Sequence, residues 1–129
     1  MQDQINSVKE FHTAFGIGYS ETPIADLGET KNTLRYHLMK EENEEYLEAV
    51  KNNDLVEIAD ALGDMMYILC GTIIEHGLQD KIEAVFDEIQ RSNMSKLGED
   101  GKPIYREDGK VMKGPNYFKP DFTKIFENS

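Results

Sequence analysis

Apolar residues recur every three or four positions in four segments of the chain, which is the spacing of one face of an α-helix. The segments cover residues 4–15, 31–51, 55–76 and 79–94. Short polar or glycine-containing breaks separate them, and Pro23 in the first break disfavours helix at the preceding Thr22. The pattern therefore predicts an all-α fold, a bundle of four helices joined by short connections.

The third predicted helix is apolar on more than one side. One stripe contains Leu55, Ala59, Leu62, Met66, Leu69 and Ile73, and a second contains Ile58, Ala61, Met65, Ile68 and Thr72. No residue from Met65 to Ile74 is charged. A helix that is apolar on most sides is buried, and one protomer of this size has little to cover it with. We therefore expect a homo-oligomer, either a homodimer or a dimer of dimers.

Carboxylates interrupt the apolar faces of the second and third helices. At about 100° per residue, Glu42 and Glu45 fall on the apolar stripe of the second helix. On the third helix Asp60 and Asp64 lie one turn apart, and apolar residues continue their face. Burying one unpaired carboxylate is costly, and four together would raise one another's pKa until most were protonated. A positive group is therefore expected among them.

The compensating charge is either a basic side chain or a divalent cation. Arg35, Lys40 and Lys51 are the basic residues nearby in sequence. A site made of carboxylate oxygens suits Mg²⁺, with Mn²⁺ as a substitute, whereas zinc prefers His and Cys. The chain shows no Cys/His zinc pattern, no EF-hand spacing and no glycine-rich phosphate loop, which disfavours zinc chemistry, calcium signalling and P-loop chemistry.

The charge is unevenly distributed along the chain. Residues 1–95 contain 7 Lys and Arg against 19 Asp and Glu, whereas residues 96–129 contain 7 against 6. We therefore divide the chain into a helical region, 1–95, and a basic, loop-rich tail of the same domain, 96–129. Within the tail, Asp108-Gly109 between two short β-prone runs predicts a hairpin. The tail is either a phosphate-binding segment or an ordinary charged surface.

The formal net charge of −11 argues against partners that are themselves anionic. Nucleic acid and anionic membranes would repel such a chain, so neither is expected as a partner. No apolar run reaches the length that spans a bilayer, and the N-terminus lacks the basic-then-apolar form of a signal peptide. The sequence therefore predicts a soluble, cytoplasmic protein.

Two motifs resemble those of the MazG-like all-α nucleoside triphosphate pyrophosphohydrolases. The first is E-E-x-x-E (Glu41, Glu42 and Glu45) on one helix, followed after a break by A-L-G-D-M-M-Y-I with Asp64 as its acid. The second is R-S-N-M-S-K, ending at Lys96 and followed by a glycine-rich basic tail, which is similar to a subgroup of small MazG-like proteins. The resemblance covers residues 34–117, and the superfamily includes dimeric dUTPases and phosphoribosyl-ATP pyrophosphohydrolase.

The resemblance implies a four-helix MazG-like bundle and Mg²⁺-dependent hydrolysis at the α-phosphorus, which gives a nucleoside monophosphate and pyrophosphate. It implies that Glu42, Glu45 and Asp64 bind the metal. The superfamily usually carries a glutamate three residues before the aspartate, where this chain has Ala61, so Asp60 is expected to supply the fourth ligand. The expected catalytic residues are Glu41, Glu42, Glu45 and Asp64. Glu41 either binds a second metal, orients a water or lies at the rim.

The leaving pyrophosphate requires groups that stabilise negative charge. Asn93 and Lys96, at the end of the fourth helix, are the first candidates, followed by Arg106, Lys110 and Lys113 in the tail. Two alternatives stay open at this point. The substrate could instead be phosphoribosyl-ATP, or the chain could be a non-enzymatic helical oligomerisation module whose acids line a channel or a partner surface.

Overall fold

A computed structural model describes residues 1–127 of the chain. It contains the helices α1 (Gln2–Ala14), α2 (Glu29–Lys51), α3 (Leu55–Glu75), α4 (Ile82–Met94) and α5 (Thr123–Phe126). Over this range no β-strand forms, and an isolated antiparallel bridge joins Tyr105 to Val111 around the predicted hairpin turn. The prediction of an all-α fold with a short hairpin in the tail is confirmed. The four-residue helix α5 was not expected from the sequence.

The chain divides into two compact units, one formed by residues 1–80 and one that begins at Lys81. The first contains α1 to α3, and the second contains α4, the hairpin and α5. In the second unit the C-terminal segment packs on α4, because Ser92 Oγ donates to Phe118 O at 2.8 Å and the Arg91 guanidinium lies 4.4 Å from the Phe118 ring centre. The structure thus groups α4 with the tail, and the sequence-based boundary after residue 95 stays a prediction.

Helix α2 begins two residues earlier than the pattern predicts. Gly28 precedes its first residue, so Thr30 lies inside the helix and is not its cap. Asp26 shapes the approach to the helix, because its carboxylate accepts hydrogen bonds from Gly28 N at 2.8 Å and from Asn32 Nδ2 at 3.0 Å. The two added residues lengthen α2 at its N-terminal end.

Helix α3 has the ends that its sequence indicates. Asp54 caps the start, since its carboxylate accepts from Glu57 N at 3.2 Å. The reciprocal half of the capping box is not needed, because Asp54 N already donates to Ala49 O at 3.0 Å. Gly77 follows the last turn with φ of +69° and donates to Ile74 O, which is the left-handed conformation that glycine adopts at little cost. The predicted limits of α3 are confirmed.

Helix α4 begins at Ile82, three residues later than predicted. Gln79 is buried instead of starting the helix. Its side-chain amide nitrogen donates to Ser20 O at 2.8 Å, and its backbone carbonyl accepts from Gln2 Nε2 at 3.1 Å. These contacts hold the chain in a turn at Gln79. The backbone carbonyl of Gln79, which would accept a hydrogen bond in the first turn of a helix, is already bonded to Gln2.

The core of the first unit forms where α3 packs against both α1 and α2. Its buried apolar residues are Ile5, Val8, Ala49, Ala61, Cys70, Ile73 and Ile74. Full burial of Ile5 or Ile74 contributes about 1.5–3 kcal/mol each to the free energy of unfolding. His12 is also buried and satisfied, with its Nδ1 2.9 Å from Gly18 O. Across residues 1–127, no helix combines the length and apolar composition that a membrane crossing requires.

Candidate metal-binding and active site

Three carboxylates from α2 and α3 converge in the first unit. Glu42 and Glu45, one turn apart on α2, and Asp64 on α3 each offer an oxygen, and these three oxygens lie within 4.8 Å of one another. We call these three residues the acidic cluster. Within the described part of the chain, no other group of three or more His, Cys, Asp or Glu side chains is arranged in this way. At this point the second and third helices bring like charges together.

The environment of Glu42 disfavours its charged form. Its Oε2 atom is buried and has no hydrogen-bond partner. The pKa of Glu42 is raised to about 7, chiefly by loss of hydration on burial and further by the hydrogen bond and charge of Glu45 and by the charges of Asp64 and Asp60. Of the described residues whose interactions shift the pKa of Glu42, none is positively charged.

The basic residues nearest in sequence do not supply that charge. Arg35 pairs with Glu75, with Nη1 3.2 Å from Oε2, and Lys40 lies 4.0 Å from Glu44. Among residues 1–127, no Lys, Arg or His nitrogen lies within 4.0 Å of a carboxylate oxygen of the acidic cluster. Among the described residues, therefore, no basic side chain compensates the negative charge of the acidic cluster. A divalent cation is the other way to compensate it.

Asp60 and Glu41 lie outside the set of converging oxygens. Asp60 is close enough to raise the pKa of Glu42 and, together with Glu45, lines a groove of about 430 Å³ between α2 and the start of α3. Glu41 is exposed. Their roles as fourth ligand and as water-orienting group stay predictions.

The end of α4, in the second unit, carries the first two phosphate-binding candidates. Lys96 N donates to Asn93 O at 3.2 Å, and Lys96 O accepts from Gly114 N at 2.8 Å, so the backbone here is held from both sides. The Asn93 side chain is exposed and that of Lys96 is half-buried. Their backbone is thus fixed, and their role in binding phosphate stays a prediction.

The hairpin carries the remaining basic candidates. Arg106 pairs with Asp108, which raises the pKa of Arg106 and lowers the pKa of Asp108. Lys110 faces Arg106 across the turn, where Arg106 N donates to Lys110 O at 2.8 Å. The Lys113 ammonium lies 4.9 Å from the centre of the Tyr117 ring. All three candidates are exposed, and Arg106 is already engaged by a carboxylate.

Comparison with known proteins identifies the class to which this fold belongs. The phosphoribosyl-ATP pyrophosphohydrolase family matches residues 8–93, a range that includes the whole acidic cluster. A crystal structure described as a "putative NTP pyrophosphohydrolase" from Exiguobacterium sp. 255-15 is 26% identical, covers 95% of this chain and 90% of its own, and superposes with a TM-score of 0.51. No curated protein matches significantly.

The fold is that of the MazG-like all-α nucleotide pyrophosphohydrolases. The chain belongs to the phosphoribosyl-ATP pyrophosphohydrolase family and is a nucleotide pyrophosphohydrolase. The resemblance inferred from the motifs is thereby confirmed. The alternative of a non-enzymatic oligomerisation module loses its support.

Proposed function

We propose that the protein is a Mg²⁺-dependent pyrophosphohydrolase that cleaves a nucleoside triphosphate between its α- and β-phosphates. The observation that carries this proposal is the acidic cluster. Three carboxylate oxygens lie within 4.8 Å of one another, one buried oxygen of Glu42 has no partner, and no basic group within residues 1–127 pairs with them. A cation among these oxygens would offset their mutual repulsion and give the buried oxygen of Glu42 a partner.

The chemistry of the donors fits Mg²⁺ or Mn²⁺. All the donors are carboxylate oxygens, which hard divalent cations prefer, and the buried Glu42 Oε2 would gain the partner that it lacks. Glu42, Glu45 and Asp64 would hold the ion, with Asp60 as the proposed fourth ligand. When bound, the cation neutralises charge on phosphate oxygens and lowers the pKa of a water at the site.

The residues singled out by the sequence would divide the work of the reaction. A water oxygen forms a bond to the α-phosphorus while the bond from that phosphorus to the bridging oxygen breaks, so pyrophosphate leaves. Glu41, exposed beside the acidic cluster in sequence, orients the water and accepts its proton. Asn93 and Lys96 bind the phosphates, and Lys110, Lys113 and Arg106 provide further positive charge for the leaving pyrophosphate.

The apolar face of α3 supports assembly with a second copy. Leu62, Met66 and Leu69 are 47%, 54% and 46% exposed, and with Met39 and Met65 they line an apolar hollow of about 400 Å³. Soluble monomers rarely expose contiguous apolar patches of this kind. A second copy of the same chain would bury this face, so we propose at least a homodimer.

Two substrates are candidates for this reaction, phosphoribosyl-ATP and a nucleoside triphosphate. The family description names phosphoribosyl-ATP, whereas the solved structure that covers 95% of the chain is described as an NTP pyrophosphohydrolase. The likeness to the solved structure covers 95% of the chain and so includes residues beyond 93, where the family match ends. For this reason we favour a nucleoside triphosphate as the substrate.

Hydrolysis in H₂¹⁸O tests the bond and the substrate together. Each canonical, oxidised or deaminated triphosphate, and phosphoribosyl-ATP, would be incubated with Mg²⁺ or with EDTA, and the products identified by mass spectrometry. We expect Mg²⁺-dependent formation of monophosphate and pyrophosphate, with ¹⁸O in the monophosphate, and preferential use of a triphosphate. Label in pyrophosphate, release of a diphosphate, or preference for phosphoribosyl-ATP would contradict the corresponding part of the proposal.

A further inference from the structure

Arg35 crosses from α2 to α3 as a buried cation. It is 7% exposed, and its guanidinium contacts two turns of α3. Nε donates to Thr72 Oγ1 at 3.1 Å, Nη2 donates to Ile68 O at 2.9 Å, and Nη1 lies 3.2 Å from Glu75 Oε2. Ile68, Thr72 and Glu75 are spaced at i, i+4 and i+7 and so lie on one face of α3. A single side chain of α2 is thus held at three points on α3.

The guanidinium fits only because residue 71 has no side chain. A Cβ atom on Gly71 would lie 2.7 Å from Arg35 Nη2 and 2.9 Å from His12 Nε2, and both of these side chains are buried. Glycine in a helix interior costs about 1 kcal/mol relative to alanine. Gly71 has ordinary helical backbone geometry, so the space it leaves, rather than its conformational freedom, accounts for its presence.

Stability alone does not explain this arrangement. Replacing a buried ion pair by apolar residues of similar volume is often neutral or stabilising, because both charges lose their hydration. What the three contacts supply is directional geometry, since the planar guanidinium binds only where its partners are correctly placed. They fix both the rotation and the axial position of α2 relative to α3.

The same two helices carry the acidic cluster. On α2, Glu42 follows Arg35 by seven residues, about two turns, and on α3 Ile68 follows Asp64 by one turn. A slip of α2 by one turn, about 5.4 Å, would separate oxygens that now lie within 4.8 Å of one another. The carboxylates repel one another in the absence of a cation, so another contact must keep the two helices in register.

We propose that Arg35 is a positioning residue for the metal site, because its contacts with Ile68, Thr72 and Glu75 set the register at which α2 and α3 bring the acidic cluster together. The inference rests on the proposed function, in which that cluster binds a divalent cation. It assigns a role in metal affinity to residues that do not touch the metal.

The test measures Mn²⁺ affinity directly, by the electron paramagnetic resonance signal of free Mn²⁺. Thr72→Val is nearly isosteric and removes one Arg35 contact, and Gly71→Ala displaces the guanidinium without changing any polar group. We expect each variant to bind Mn²⁺ about 10–100-fold more weakly than the wild type, measured well below its melting temperature. Gly63→Ala, on the same helix with nothing within 4 Å of its added Cβ, is the matched control and should keep wild-type affinity.

The outcomes separate the inference from the function on which it rests. Wild-type Mn²⁺ affinity in folded Thr72→Val and Gly71→Ala, even with lower melting temperatures, would overturn the positioning role and leave the proposed function intact. Failure of the wild type itself to bind Mn²⁺ would overturn both. If Gly71→Ala does not fold, Thr72→Val alone decides, because it retains the volume of the side chain.

Discussion

Replacing Asp64 by asparagine, or Glu45 by glutamine, is expected to lower the rate of pyrophosphate release by about 10³-fold or more. Each substitution removes a charged oxygen from the acidic cluster, and loss of a metal that stabilises the transition state by several kcal/mol corresponds to such a factor. The measurement is steady-state turnover at saturating Mg²⁺. Glu44→Gln is the control, because it removes an exposed charge from α2, the helix that carries Glu45. It should retain wild-type turnover.

The same substitutions are expected to leave the metal-free protein folded and to stabilise it above pH 7. The pKa of Glu42 is raised from 4.5 to about 7 in the folded protein. Between pH 4.5 and about 7, the folded state therefore keeps a proton on Glu42 that the unfolded state has released. The contribution of Glu42 to the free energy of unfolding is therefore fully present below about pH 4.5 and is lost as the pH rises through about 7. Removing the charge of Asp64 or Glu45 reduces that loss.

Unfolding in EDTA at pH 8 measures this effect. A variant that unfolds at lower denaturant concentration than the wild type, but binds Mn²⁺ with unchanged affinity, would show that these carboxylates hold the fold together and do not hold a cation. Loss of turnover would then have a structural cause.

Replacing Leu69 by glutamate is expected to dissociate the proposed oligomer into monomers. Leu69 lies on the apolar face of α3 and is 46% exposed in the single chain, so a second copy would bury it. A glutamate there would bring one unpaired carboxylate per protomer into an apolar interface, which costs several kcal/mol. Sedimentation velocity at several protein concentrations measures the mass directly.

Gln90→Glu adds the same charge at an exposed polar position and controls for charge alone. It should sediment like the wild type. A wild-type protein that remains monomeric at high concentration, or a Leu69→Glu variant of wild-type mass, would show that the apolar face of α3 is not covered by another copy.

The sequence predicts the parts of this fold whose causes are local. Asp54 and Gly77 mark the ends of α3 because a side-chain cap and a left-handed residue act within one turn of the helix. The convergence of Glu42 and Glu45 with Asp64 could also be anticipated, because both helices carry acids on faces that are otherwise apolar. In each case, helical periodicity and chemistry within a few residues are enough to predict what the structure shows.

The parts that the sequence does not predict depend on distant contacts. Arg35 is a plausible partner for the acidic cluster by its position in sequence, yet the structure pairs it with Glu75, forty residues away. A local signal is Gly71, a glycine inside an apolar helix, but Gly63 in the same helix has no close neighbour among the described residues, so the sequence alone does not show which glycine is approached or by what. Gln79 likewise departs from a helical pattern because its partners, Ser20 and Gln2, lie far away in the chain.

The central claim, that the acidic cluster binds a divalent cation, is tested most directly by calorimetric titration of the metal-free protein with Mn²⁺ near pH 7 in two buffers of different ionisation enthalpy. We expect saturable binding with release of part of a proton, because Glu42, with its pKa of about 7, must lose its proton to act as a ligand. The affinity should also fall as the pH is lowered below 7. Absence of binding at millimolar Mn²⁺ would contradict the claim, whereas binding without proton release near pH 7 would contradict only the raised pKa of Glu42.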